Sequence, residues 1–280
     1  MDAAPALDAR RFRATSLVLY GFVGLFSLIV LLPLLYMLLA AFKTRSEMFM
    51  KPLAPPASLS FESFERAWGV GVGAFLANSL LVTFLSVVVI VLLSGMAAYA
   101  LTRLEGRGGR LIYLAVVAGF AIPVQAVLVP VFQTMSAAGL LNSRLALVMP
   151  YAAYGIPFTV ILFYAFFLDF PRELEEAARL DGCSRFQTFT RVILPLSGPA
   201  IASAAIFQSV FIWNEFILAL LMLTQPALKT LPVGILELQG EFTSDWPAVM
   251  AGLSLATLPL LAVFVLAQKY FVRSLAGLGK

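Results

Sequence analysis

Six long apolar stretches constrain the fold of this chain more than any other feature of its sequence. They cover residues 17–42, 73–101, 111–136, 144–168, 198–224 and 248–271. An α-helix needs roughly 20 residues to cross the hydrocarbon core of a bilayer, and lipid cannot satisfy the free backbone groups of other structures. With 61% hydrophobic and only 12% charged residues, the sequence predicts an all-α, polytopic membrane protein with six transmembrane helices.

The first stretch resembles a secretory signal peptide because Arg10, Arg11 and Arg13 precede it. It nevertheless runs from Leu17 to Phe42 without a charge, whereas the apolar region of a signal peptide has roughly 7–15 residues. We therefore expect a retained first transmembrane helix.

The basic residues between the stretches predict the orientation. If the N-terminus is cytoplasmic, the cytoplasmic segments hold 13 of the 19 basic residues and the external segments hold six. Because cytoplasmic loops of membrane proteins are enriched in Lys and Arg, this asymmetry favours cytoplasmic termini at both ends. The predicted organisation is a cytoplasmic tail (1–16), a first transmembrane helix (17–42), an external segment (43–72), a core domain of five transmembrane helices (73–272) that includes a cytoplasmic loop at about 169–196, and a cytoplasmic tail (273–280).

Two external segments are long, at residues 43–72 and 225–247. Pro52, Pro55 and Pro56 should prevent a continuous helix in the first of them, and Ser60 is placed to cap a short helix that ends near Trp68. Prolines inside the apolar stretches favour kinked spans, and they include Pro33, Pro123, Pro130, Pro157 and Pro259.

The composition also excludes several kinds of site. The chain has no histidine and one cysteine, Cys183, which removes His-dependent nucleophiles, proton relays and most zinc sites. It has no G-x-x-x-x-G-K-[ST] phosphate-binding loop, and its basic residues form no continuous face for nucleic acid. We therefore expect no catalytic residues, no metal and no cofactor on this chain.

The densest run of charges lies in the cytoplasmic loop, within "DFPRELEEAARLDGCSRFQTFTRVILPLSGPA". Pro171 suits the first turn of a helix, Gly182 a position with positive φ after its end, and Ser184 the cap of a second helix that should end before Pro195. This pattern predicts two short helices joined by a glycine turn.

The two predicted helices carry apolar faces that need a cover. Leu174, Ala177 and Ala178 form a small stripe on the first, and Phe186, Phe189 and Ile193 form a bulky ridge on the second. Either the chain's own spans cover them, or a second protein approaches the alanines, with Glu175, Glu176 and Arg179 at the rim for charge pairing.

The stretch "EAARLDG", nine further residues and then "VILP" resembles the loop of inner-membrane permeases of binding-protein-dependent ABC importers. The family pattern, E-A-A-x-x-x-G, nine residues and I-x-L-P, is matched at Glu176, Ala177, Ala178, Gly182, Leu194 and Pro195. Val192 replaces the usual Ile, and the loss of one methylene should have little effect.

Four further stretches resemble the carbohydrate branch of that family: "NSLLVT" from Asn78, "WNEFILAL" from Trp213, "KTLPVGI" from Lys229 and the terminal "QKYFVRSLAGLGK". The last departs from the usual ending of the family, G-L-T-x-G-x-x-K-G, and reads "SLAGLGK" instead.

The resemblance implies a type I ABC importer permease fold in the bacterial inner membrane. It implies that the loop fits a cleft on a cytoplasmic ATPase subunit, with Glu176 paired to a basic residue there and Gly182 holding the bend. The expected partners are a second permease subunit, two ATPase subunits, a periplasmic or lipid-anchored solute-binding protein and membrane lipid. ATP hydrolysis would occur on the partners.

Polar residues in or near the spans are candidates for a substrate path: Asn78, Ser79, Thr83, Gln125, Trp213, Asn214 and Glu215. Glu215 is the one acidic residue inside a predicted span, and either a pathway role or a hydrogen bond to another helix would explain it. Trp213 could stack on a sugar ring or anchor the helix at the membrane interface. Contacts between helices would also explain the polar residues of the second span.

Three functions remain open at this point. The first is half of the pathway of an ATP-driven importer, for a sugar or for another solute. The second is an ion-coupled transporter, which needs titratable groups near the membrane midplane and has only Glu215 to offer. The third is a membrane scaffold or receptor.

Overall fold

The structure, a computed structural model, describes residues 4–103, 107–239 and 244–277. The chain divides into two units, Met1–Val70 with Leu238–Leu255, and Gly71–Glu237 with Ala256–Lys280. The predicted tails at 1–16 and 273–280 lie partly outside the described residues. Within the described residues, β structure is limited to one isolated antiparallel bridge between Gln239 and Ser244.

The described residues are predominantly helical. In chain order the α-helices are α1 (Ala4–Ala40), α2 (Arg45–Met50), α3 (Glu62–Val70), α4 (Val72–Arg103), α5 (Arg107–Phe120), α6 (Val124–Ala137), α7 (Leu145–Leu168), α8 (Arg172–Leu180), α9 (Arg185–Thr188), α10 (Leu194–Leu196), α11 (Gly198–Trp213), α12 (Ile217–Met222), α13 (Leu231–Gly234) and α14 (Trp246–Gly277). Short 3₁₀ turns occupy Pro226–Leu228 and Ile235–Leu238.

In the first unit, the segment after α1 is held by a buried lysine. The Lys43 ammonium donates to the carbonyl oxygens of Lys51 and Pro52 at 3.1 and 2.6 Å. A lysine is rarely buried unless its charge is satisfied, and two carbonyl acceptors serve that purpose here. The prediction that prolines interrupt this segment is confirmed, since no helix is found between α2 and α3.

An acidic residue links the two parts of this unit. Asp245 accepts from Arg45 Nη2 at 2.6 Å and from Arg66 Nε at 2.8 Å. Burial alone would raise the pKa of the Asp245 carboxyl, but hydrogen bonds from the two guanidinium groups outweigh it and lower the pKa. Ser60 Oγ accepts the Glu62 N–H at 3.3 Å, two residues later, and so forms a local turn before α3 instead of the predicted N-cap.

The second unit is built around a pair of parallel helices, α4 and α7, with α11 packed against both and α5 against α7. Four fully buried side chains from α4 and α7 fill the centre of this packing: Ile90, Leu147, Val160 and Phe163. Apolar side chains such as Phe84 face outward on the same helices. An exterior of this kind suits lipid or another hydrophobic subunit and not water.

A glycine permits close packing of three helices within this unit. A Cβ on Gly155 of α7 would lie 2.8 Å from Gln208 Oε1 of α11 and would also clash with Ile90 of α4. Small residues at helix interfaces allow membrane helices to pack closely. Gln208 uses the approach to donate to the Gly155 carbonyl oxygen and to Thr159 Oγ1, at 3.1 and 2.9 Å.

The six predicted spans correspond to four long apolar helices and two bent pairs within the described residues. The predicted span at 111–136 is wrong as a continuous helix, because α5 and α6 meet at 95° across a break before Pro123. Pro123 lacks an N–H and its ring restricts Ile122, so the chain turns there instead of bending slightly.

The predicted span at 198–224 also requires correction. Its helix, α11, ends at Trp213, and a separate short helix, α12, follows from Ile217 to Met222. At the other end, the segment Arg185–Leu196 leads into α11 through a bend of 76°. If each bent pair is counted as one span, the described residues contain six.

Candidate functional site

The charged segment that sequence reasoning singled out folds as two short helices, which we call the Glu-Ala-Ala hairpin (residues 171–196). The first is α8, and Gly182 follows it with φ +80°, the left-handed conformation that glycine adopts most readily. The Gly182 and Cys183 N–H groups donate to the carbonyl oxygens of Arg179 and Ala178, the bonds of a Schellman motif. The predicted glycine turn is confirmed.

The second helix begins as predicted and ends later than predicted. Ser184 caps it in a reciprocal capping box with Gln187. The helix was expected to end before Pro195, which is wrong, because a π-helical turn at Phe189–Ile193 carries it on to Leu196. The wider π register changes which N–H groups bond to which carbonyls, which accommodates a proline at this point. Pro171 precedes α8 as its N-cap instead of lying in the first turn.

Glu175 was expected at the rim of the surface that a second protein approaches. This is wrong, because Glu175 is only 3% exposed. Its carboxylate accepts from Arg103 Nε at 2.8 and 3.1 Å and from the Tyr99 hydroxyl at 3.0 Å, and it also pairs with Arg103 Nη2. Arg103 and Tyr99 belong to the end of α4, and Arg103 also donates to the Phe167 carbonyl oxygen of α7 at 3.4 Å. The hairpin is therefore fastened to both central helices of its unit.

The protonation of Glu175 follows from this environment. Burial alone would raise the pKa of its carboxyl, but the hydrogen bonds and charge of Arg103, with the Tyr99 hydroxyl and the charge of Arg179, lower the pKa overall. The carboxylate therefore stays ionised at neutral pH and keeps its charge-assisted bonds to the guanidinium.

The opposite face of α8 is free within the described residues. Glu176, Ala177 and Leu180 are exposed, and Leu180 is 89% exposed. The predicted stripe of Leu174 and two alanines is divided, because Ala178 is buried against the chain itself while Leu174 and Ala177 remain accessible. Arg179 is also exposed.

The predicted ridge on the second helix is divided in the same way. Phe189 and Ile193 are buried, and the Phe189 ring lies 5.2 Å from the Tyr99 ring, centroid to centroid. Phe186 is 64% exposed. Leu194 is partly buried and Pro195 exposed. The chain's own helix α4 thus covers one part of the apolar surface and leaves Phe186 and Leu180 uncovered.

Two of the predicted path residues hold a loop in place. Asn78 Nδ2 donates to the carbonyl oxygens of Ala227 and Lys229 at 2.8 and 3.2 Å, and its Oδ1 accepts from Arg144. Ser79 Oγ accepts the Leu231 N–H at 2.8 Å. Both side chains are buried, so they fasten the segment after residue 225 to the start of α4 and do not line an open path.

Glu215 is a structural residue in the same sense. Its carboxylate accepts from the Tyr151 hydroxyl of α7 at 2.6 Å and from the N–H groups of Leu218 and Ala219 at 2.9 and 3.3 Å. The backbone bonds satisfy the free N–H groups at the start of α12. Of the two explanations that the sequence left open, the hydrogen bond to another helix is the one observed.

The other predicted path residues do not form a single site. Thr83 and Trp213 line an apolar cleft of about 520 Å³ between α4, α11 and α14. Gln125 and Asn214 are exposed, and Asn214 donates to the Val210 carbonyl oxygen of its own helix. No group of three His, Cys, Asp or Glu side chains suited to a metal occurs in the part of the chain that the structure describes.

Sequence reasoning missed a cavity of about 350 Å³ between α5, α7 and α11, which we call the aromatic cavity. Its lining includes Phe120, Tyr154, Phe158, Phe207, Phe211 and Gln208. Gln208 donates both its hydrogen bonds to α7, and its Oε1 contributes a polar acceptor to a wall that is otherwise apolar. The phenylalanines have helical spacing within apolar segments, so nothing in the sequence distinguished them from lipid-facing residues.

Comparison with known proteins gives consistent matches over the chain. Residues 90–277 match the family described as "Binding-protein-dependent transport system inner membrane component". A "Probable ABC transporter permease protein YurM" of Bacillus subtilis is 38% identical over 91% of this chain and 85% of its own length. The "Trehalose/maltose transport system permease protein MalG" of Thermococcus litoralis is 34% identical over 90% of this chain and 92% of its own length.

Two solved structures share the fold. A chain of a bacterial ABC transporter "involved in the import of the acidic polysaccharide alginate" superposes with a TM-score of 0.83 at 24% identity, over 94% of this chain and 98% of that one. A chain of the MetNI methionine ABC transporter in inward-facing conformations gives 0.56 at 20% identity, over 76% and 98% of the two chains.

Proposed function

Because the chain belongs to the family of binding-protein-dependent transport system inner membrane components, we propose that it is one permease subunit of an ATP-driven importer for a sugar or oligosaccharide. The family is a transport permease and not an enzyme. In this proposal the chain forms half of the translocation path, a second permease forms the other half, two cytoplasmic ATPase subunits hydrolyse ATP, and an external solute-binding protein delivers the substrate.

The observation that carries the proposal is the opposite orientation of two adjacent glutamates in α8. Glu175 points inward and bonds Arg103 of α4, whereas Glu176 points outward beside Ala177 and Leu180. A helix fastened on one side and accessible on the other can receive a displacement from a partner and pass it to the spans. The Schellman turn at Gly182 and the capping box at Ser184 define the junction between this helix and the second helix of the hairpin.

The orientation in the membrane is part of the proposal. The hairpin and the Arg103 end of α4 lie in the cytoplasm, and the Asn78 end of α4 lies outside, in agreement with the distribution of basic residues between loops. Residues 43–70 and 225–239, which contain short helices and turns, then face the compartment from which substrate arrives.

The carbohydrate substrate is supported by the relatives. Besides the trehalose/maltose protein, a "Sulfoquinovosyl glycerol transport system permease protein SmoH" of Agrobacterium fabrum is 37% identical over 96% of this chain. Aromatic rings with a few placed polar groups are typical of small-ligand sites, and we assign the aromatic cavity to the wall of the sugar path. The ion-coupled alternative needed Glu215 as a titrating carrier, and that carboxylate is committed to Tyr151 and α12.

The direct test is Glu176→Lys in the complex assembled with its ATPase subunits, second permease and solute-binding protein. We expect loss of the ATPase stimulation that substrate-loaded binding protein produces, because an outward carboxylate is replaced by the opposite charge at the docking face. Glu173→Lys, also exposed and one turn earlier, makes the same charge change outside the family pattern and serves as control. Normal stimulation and transport by the Glu176 variant would contradict the assignment.

A further inference from the structure

A basic cavity of about 660 Å³ lies between the end of α4 and the Glu-Ala-Ala hairpin, and the proposed function does not use it. We call it the arginine cavity. Its wall includes Arg103, Arg172, Arg179 and Arg185, with Met96 and Phe186 among its apolar residues. The cavity therefore has a charged part, lined by the arginines, and an apolar part. A suitable ligand must match both parts.

The positive charge in this cavity is largely uncompensated. Glu175 neutralises Arg103 through their ion pair, and its charge also acts on Arg179. Arg172, Arg179 and Arg185 form no ion pair among the described residues. A concave site with several guanidinium groups and one carboxylate attracts an anion, and guanidinium groups suit the oxygens of a phosphate in particular.

The cavity and the proposed docking face lie on different sides of α8. Arg172 and Arg179, seven residues apart on α8, line the cavity, whereas Glu176 and Leu180 belong to the exposed face. A ligand in the cavity would therefore lie behind the hairpin, beside the span, and would not compete with a protein bound to the exposed face.

The position along α4 indicates what kind of anion fits. Met96 and Ala100 belong to the apolar span, and Arg103 is its last residue, so the cavity extends from the hydrocarbon to its boundary. Basic pockets beside transmembrane helices on the cytoplasmic side bind anionic lipid headgroups. Taking the side of the membrane from the proposed function, we propose that the arginine cavity binds an anionic phospholipid, with its phosphate on the arginines and its first acyl carbons against Met96 and Phe186.

The test uses the purified full chain in detergent, without any partner. Phosphatidylglycerol and phosphatidylcholine compete for the chain, and native mass spectrometry counts the lipid of each kind that stays bound. The wild-type chain should retain phosphatidylglycerol preferentially. The double substitution Arg172→Gln/Arg185→Gln should weaken that binding about 30-fold, since each basic group near a membrane surface contributes roughly fivefold.

The matched control is Arg107→Gln/Arg110→Gln. It removes two exposed arginines at the start of α5 that do not line the cavity. The loss of affinity for phosphatidylglycerol in this control should be smaller than the loss in the cavity variant by a factor of about ten or more. Circular dichroism of each variant confirms that the helices are intact. Inorganic phosphate should not displace the lipid, because it has no acyl chain to contact the apolar wall.

Three results would overturn the inference: equal retention of the two lipids by the wild-type chain, equal losses in the two double variants, or displacement by inorganic phosphate. Equal retention would leave an acidic segment of the ATPase as the occupant. Since the readout is lipid bound to the isolated chain, failure here is distinguishable from failure of the proposed function, which is measured as ATPase stimulation.

Discussion

Removal of the Arg103 guanidinium should release the Glu-Ala-Ala hairpin from the central helices while the rest of the unit stays folded. In Arg103→Gln, the Glu175 carboxylate loses its ion pair and keeps only the Tyr99 hydroxyl as a hydrogen-bond donor. Loss of one member of a buried ion pair costs about 3–5 kcal/mol, because the other charge stays buried and uncompensated. Partial access of water to Arg103 and protonation of Glu175 reduce this cost, so we expect about 3 kcal/mol.

This cost should appear as local opening and not as global unfolding. Phe189 and Ile193 still hold the second helix, and the packing of α4 against α7 does not involve Glu175. Hydrogen exchange of the full chain in nanodiscs, followed by mass spectrometry, measures such openings segment by segment. A cost of about 3 kcal/mol corresponds to roughly 100-fold faster exchange of the α8 amides, with α7 unchanged.

Two variants make the result specific. Arg107→Gln removes an exposed arginine at the start of the next helix and should leave α8 exchange as in wild type. The reversed pair Arg103→Glu/Glu175→Arg should recover part of the protection, which a purely steric role of Arg103 would not allow. The reasoning is refuted if α8 exchange in Arg103→Gln stays within threefold of wild type, or if α7 accelerates as much as α8.

Two further predictions concern the same unit. Because the folded-state pKa of Glu175 is lowered, its contribution to hairpin docking is present above the unfolded pKa of about 4.3 and is lost as the pH falls through the folded pKa. In Arg103→Gln, burial without the guanidinium raises the pKa of Glu175, so a lower pH neutralises a charge that is costly to bury. Protection of the α8 amides in this variant should therefore increase between pH 7 and pH 5, measured as hydrogen exchange corrected for intrinsic rates. In the aromatic cavity, the variant Phe207→Ala should raise the KM for transported sugar about fivefold, the loss of roughly 1 kcal/mol of ring contact, while Phe84→Ala, an exposed ring of α4 outside that cavity, should not; equal effects in reconstituted uptake assays would argue against the assigned path.

Local rules predicted the hairpin well because its signals act over a few residues. Positive φ at Gly182 and the cap at Ser184 are consequences of backbone sterics and of free N–H groups at a helix start, and both were confirmed. The continuation through Pro195 was missed because a π-helical turn depends on packing of Phe189 and Ile193 against α4, which no local pattern shows.

The orientation of Glu175 shows where sequence reasoning stops. Glu175 and Glu176 are adjacent, have the same chemistry and lie in the same helix, and periodicity alone does not show which of them faces the chain. The choice depends on Arg103, 72 residues earlier, whose position at the end of α4 only the tertiary structure reveals. Asn78 and Ser79 bond backbone groups of a distant segment, and Glu215 bonds the Tyr151 hydroxyl of α7 as well as the start of α12. The sequence marks these polar residues but does not show their distant partners.

The contacts at the two ends of α4 connect the hairpin to the opposite side of the membrane. At one end, Arg103 holds α8; at the other, 25 residues earlier, Asn78 and Ser79 hold the segment that contains Ala227 and Leu231. At about 1.5 Å per residue these points are roughly 37 Å apart, which is the thickness of a bilayer with part of its interfaces. A helix of this length, packed against α7 along its course, moves as a rigid element more readily than it bends. Because polar contacts with specific partners fasten both ends of α4, a displacement of α8 must either break the Glu175–Arg103 pair or move the segment that contains Ala227 and Leu231. We therefore propose that the Glu175–Arg103 pair transmits displacement of the hairpin to the spans of the importer. The exchange experiment on Arg103→Gln tests the contact on which this transmission depends.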